Sequence, residues 1–96
     1  MRPAPERIGG LRVRLSTVLD GRHEPTGACR HIVAGGTLGP ADALAICENE
    51  DGAFFLFYCD ADWGVVADTW HETIEGAKNQ ASFEYFGVAS TWVAAT

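Results

Sequence analysis

Alternation of apolar and polar positions predicts the first element. Leu11-Arg12-Val13-Arg14-Leu15-Ser16 switches at every residue, which gives a half-buried strand with Leu11, Val13 and Leu15 inward and both arginines outward. Asp20-Gly21 then marks a turn. Ahead of this strand, residues 1–10 carry Pro3, Pro5 and Gly9-Gly10 and read as a flexible arm. Between residues 22 and 42 the pattern is interrupted by Pro25, Gly27, Gly35-Gly36 and Gly39-Pro40. Residues 31–34 are a short candidate strand there.

The second half is denser in apolar residues. Residues 43–48 (ALAICE) read as a strand, Asn49-Glu50-Asp51-Gly52 as a hairpin turn, and residues 53–59 as the next strand. Phe54-Phe55-Leu56-Phe57-Tyr58 does not alternate, so this strand is expected to be covered on both faces and central in its sheet. Asp60 to Gly64 is a second turn, and residues 65–70 return as a strand. A three-residue loop at residues 61–63 places Asp60 opposite Gly64 and Tyr58 opposite Val66. From Thr73 the period becomes helical: Ile74, Ala77, Ala81, Tyr85 and Val88 share one stripe at about 100° per residue. Thr73 is the expected N-cap, with Glu75 in the first turn. Thr69-x-x-Glu72 is a rival capping box, and Gly87 is the expected stop. Phe83 lies opposite the stripe. The sum is an α+β fold: an antiparallel sheet of about four or five strands with one C-terminal helix packed on one face. It forms a single domain over residues 1–96, with its core in residues 43–87.

Charge changes this picture more than composition does. An apolar content of 47% is enough for a core, and no apolar run approaches the roughly 18–20 residues of a membrane span. The start, MRPAPERIGG, has no apolar signal-type segment. The three cysteines are an odd number, and Cys47 and Cys59 lie inside apolar runs. Reduced, buried thiols in a cytoplasmic chain are therefore expected. The net charge is −6, unevenly spread: the first thirty residues hold six arginines against three acids, and the remainder holds Lys78 against ten acids. The core-forming part should repel a phosphate backbone and attract a basic protein surface, so a protein partner is expected and neither nucleic acid nor membrane.

Asp68-Thr69-Trp70-His71-Glu72-Thr73 is followed by Ala77, Gln80-Ala81, Glu84-Tyr85, Gly87-Val88 and Trp92. This run resembles a family of small uncharacterised bacterial proteins that end in D-T-W-H-x-[ST]-x-x-x-A-x-x-Q-A-x-x-E-[FY]. The resemblance covers roughly residues 53–92 and leaves out the arginine-rich first third. Family members often carry an acid near the position of Gly76, where this chain departs. The resemblance implies hairpin-to-helix packing and capping, and no activity.

Candidate chemistry is sparse. His23, Cys29 and His31 are zinc-type ligands, but their spacing fits no common structural zinc pattern and a fourth ligand is missing. Asp60-x-Asp62-x-Gly64 begins like a calcium loop, with its glycine one place early and His71 where the final glutamate belongs. Turn chemistry explains it better. Cys59, Asp68 and His71 supply the residue types of a nucleophilic set, yet Cys59 sits in an apolar strand that makes a thiol inert. Gly35-Gly36-x-x-Gly39 lacks the lysine and helix of a phosphate loop. No metal, no cofactor and no enzymatic activity are expected. What remains is a binding surface built from Trp63 and Phe83 as anchors with Glu50, Asp51, Asp60 and Asp62 around them, and Glu48, Asp68 and Glu72 nearby. A small acidic protein that covers a basic partner, in the manner of immunity or inhibitor proteins, fits this surface. A self-associating module or homodimer is the first alternative, and a metal- or thiol-dependent enzyme the remote second.

Overall fold

A computed structural model describes residues 1–27, 32–33, 36–37 and 40–95. The strands are β1 (Arg7–Ile8), β2 (Leu11–Val18), β3 (Ile32–Val33), β4 (Gly36–Thr37), β5 (Ala43–Glu48), β6 (Phe54–Cys59), β7 (Val65–His71) and β8 (Val93–Ala94). One α-helix, α1 (Ile74–Glu84), and a short 3-10 turn (Val88–Ser90) lie between β7 and β8. The main sheet is antiparallel in the order β1-β2-β5-β6-β7, with β8 also on β2, and α1 packs against it. This is the expected α+β architecture. β3 and β4 pair with each other as a small hairpin.

β5 and β6 are covered on both faces, which explains why they are apolar up to Glu48, the last residue of β5. On one face Leu44, Ile46, Leu56 and Tyr58 meet Ala77, Ala81, Tyr85 and Val88 from the helix and the turn after it. The small alanines let the helix axis approach the sheet closely. On the opposite face Ala43, Ala45, Cys47, Phe57 and Cys59 pack with Ile8, Val13 and Trp63. The N-terminal residues supply that second cover. Gly9 and Gly10, at φ 58° and 80°, close a tight two-residue hairpin that only glycine adopts readily, and Ile8 is thereby buried. The arm expected to be flexible is thus part of the folded unit, because it completes a core.

Two details depart from simple periodicity. In β2, Val13 pairs with Cys47 and Leu15 with Ile46, so a bulge at Arg14 moves Leu15 to the helix face. In β7 a bulge at Val66 pairs Tyr58 with Ala67 and not with Val66, while Asp60 still meets Gly64 as expected. The helix begins as expected, with the Thr73 hydroxyl accepting from the Gly76 amide at 3.0 Å. It ends earlier than expected. Tyr85 turns extended and bridges to Pro25, and the Phe86 amide donates to Glu24 O at 2.9 Å. Gly87 does take the left-handed conformation, but it opens the 3-10 turn.

Candidate functional site

The two hairpin loops that hold most of the expected acidic site are one loop used twice. In the first, Asn49 Oδ1 accepts from the amides of Asp51 and Ala53, both at 2.9 Å. In the second, Asp60 Oδ1 accepts from Asp62 N at 2.9 Å and Gly64 N at 2.8 Å. Each side chain substitutes for a missing strand partner. The fourth position takes positive φ in both: Gly52 at 79° and, unusually, Trp63 at 64°. A non-glycine residue there costs about 1 kcal/mol. The burial of the Trp63 ring offsets that cost: the residue is 7% exposed, and its indole N–H donates to the Arg2 carbonyl at 2.9 Å. Trp63 is therefore a core and arm-fastening residue, which removes it from the expected contact surface. The Asp60 carboxylate is committed to its loop, and a Cβ on Gly64 would come within 2.7 Å of it.

The remaining expected residues are not brought together. Glu50 and Asp51 are exposed at one end of β6 and Asp62 at the other, roughly 20 Å away at 3.4 Å per residue. Phe83 is exposed, at 54%, on the outer side of the helix with Phe86 close behind in sequence. The nucleophilic set is also dispersed. Cys59 pairs with Val65 at one end of the hairpin, and His71 pairs with Phe54 at the other. Cys47 and Cys59 are free, fully buried thiols, each pushed up to about 12 by burial. Of the zinc-type residues, Cys29 and His31 lie outside the described residues. His23 is buried, accepting from the Asp20 amide through Nδ1 at 3.1 Å and meeting Thr91 Oγ1 through Nε2 at 2.9 Å. That network ties the loop after β2 to the C-terminal segment.

A buried polar group lies between helix and sheet: the Tyr58 hydroxyl donates to the Glu84 carboxylate, itself 5% exposed. His71 bonds Thr69 Oγ1 at 2.7 Å, and burial lowers its pKa while the charge of Glu84 works in the opposite direction. Glu84 was legible as one acid among ten and as part of the Glu84-Tyr85 pair in the resemblance, with no sign of its burial. These bonds satisfy groups buried beneath the helix.

The surface that sequence reasoning missed is β7. Asp68 and Trp70 share one face, opposite Phe57 and Phe55 of β6 in register, and Val66, the bulge residue, precedes them on the strand. Trp70 is 57% exposed and Val65 and Val66 each 39%. Phe55 is half-buried and stacks on Phe57 with ring centroids 5.7 Å apart. This strip continues an aromatic core outward onto an edge strand. Its sequence signal was the alternation of Asp68 and Trp70 about Thr69, which reads as an ordinary strand until the strand is known to be an edge. Asp62 and Glu72, both exposed, flank the strand. Comparison with family models, with curated proteins and with solved structures finds no match to this chain.

Proposed function

We propose that this chain is a small acidic, non-enzymatic protein-binding module whose contact surface is β7, with Trp70 as its anchor, and whose partner presents a basic surface. The observation that carries the reading is Trp70, 57% exposed beside Asp68 and Val66 on an edge strand. Exposed aromatic anchors with acids at the rim supply a desolvated centre and a charged periphery, the arrangement that binding hot spots require. The net charge of −6 steers a basic partner toward it. An inhibitor or immunity-type role, covering a basic site on another protein, follows from the same physics.

The test compares tagged wild-type protein with Trp70→Ser and Phe83→Ser in extract of the native host. Both positions are exposed, so both variants should match the wild type in thermal stability. Trp70→Ser should weaken partner capture on the order of 30-fold, as loss of a central anchor does, and Phe83→Ser should leave it unchanged. Capture unaffected by Trp70→Ser contradicts the reading. Capture lost in Phe83→Ser instead moves the surface to the helix.

A further inference from the structure

The edge that carries Trp70 also restricts what can dock there. Resting on the reading of β7 as the contact surface, we infer that its occupant is an extended polypeptide segment. The segment adds to the sheet as a further antiparallel strand, with a lysine or arginine opposite Asp68 and an apolar residue opposite Trp70.

The backbone supplies the first argument. β7 is hydrogen-bonded to β6 on one side, and among the described residues no strand pairs with its other side. Alternate N–H and C=O groups of such an edge point outward and are a template for another strand. The bulge at Val66 leaves residues 67–71 in regular register. Side chains supply the second argument. An incoming strand meets Asp68 and Trp70 in sequence on one face: acidic, then apolar.

A second copy of β7 is the simplest candidate occupant, and charge opposes it. Such a pair, antiparallel, can centre on residue 68. Asp68 then faces Asp68 at the Cβ separation of about 5 Å typical of cross-strand neighbours, where like charges repel. A chain of net charge −6 adds to that repulsion. Asp68 thus guards the edge against self-pairing, as edge charges do, and the same carboxylate selects a cation in the strand that does pair.

The chain itself provides the probe. Wild type, the Asp68→Lys variant and their equimolar mixture are compared by sedimentation, with Asp68→Arg as a second variant. Each protein alone should be monomeric, because like charges meet at the centre of the pair. The mixture should form a 1:1 heterodimer at least about tenfold tighter than either self-pair, weakened by added salt. Amide exchange at outward-facing β7 positions should slow in the mixture. A mixture that stays monomeric with both variants overturns the inference, as does a wild-type dimer as tight as the mixture. Loss of host-partner capture by Trp70→Ser together with a monomeric mixture leaves the β7 surface standing and removes strand addition alone.

Discussion

At the residue scale, burial decides roles that residue type leaves open. Trp63 and Trp70 are seven positions apart, both aromatic and both near acids. One is 7% exposed and the other 57%. Trp63 sits at the left-handed position of its loop and points into the core, where it also holds Arg2. Trp63→Ala should cost about 3–5 kcal/mol by cavity formation, read as a lower urea midpoint. Trp63→Phe should cost less. Cys47 and Cys59 give a second expectation. Burial raises each thiol from an ordinary 9.0 to about 12, so the folded state favours the protonated form. The unfolded chain releases these protons first. The stabilisation is therefore complete below pH 9 and is lost as pH rises from 9 toward 12. Alkaline denaturation of the Cys47→Ala, Cys59→Ala double variant should lose that part of its steepness. In the wild type both thiols should react with a disulfide reagent only after denaturant is added. His71 runs the other way. Burial lowers its pKa from 6.5, so the unfolded chain binds the proton more readily and stability falls as pH drops through about 6.5. His71→Gln should flatten that limb of the stability profile.

At the scale of elements, caps and turns were legible in the sequence, and packing corrections were not. Thr73 as N-cap, the helix face Ile74, Ala77 and Ala81, and the interior place of β6 all follow from local pattern, although β5 is the middle strand and Tyr85 and Val88 reach the same core from beyond the helix. Thr73→Ala should cost about 1 kcal/mol, measured by thermal unfolding. The departures each have a non-local cause. The helix stops at Glu84 because Tyr85 and Phe86 find partners in Pro25 and Glu24, some sixty positions earlier. Leu15 changes face because of the bulge at Arg14, whose guanidinium reaches Glu48 on β5 at 2.7 Å. Gly9-Gly10 reads as a simple break, yet it closes the hairpin of β1 and β2, and Gly9 lies against the Phe57 ring. Period-two reasoning cannot see an inserted residue, and no local signal announces a contact between distant segments.

For the whole molecule, the sheet is asymmetric in how its edges are treated. β2 is covered on its outer side by β1 and β8, so the two ends of the chain close that edge. β7, at the other end of the sheet, carries exposed Val65, Val66 and Trp70 with Asp68 among them. The acidic excess after residue 30 was plain from the sequence, but its focus was not. It seemed to gather at two turns, which lie at opposite ends of β6, and one of those acids, Asp60, serves its own loop. Among the described residues no helix is long and apolar enough to cross a membrane. The central claim is that β7 is an open edge, and amide hydrogen exchange of the free protein tests it most directly. Across residues 67–71 the account predicts alternation: amides facing β6 are protected, and those facing outward exchange at nearly the rate of an unstructured chain. Uniform protection along β7 would show the edge already covered and would contradict it.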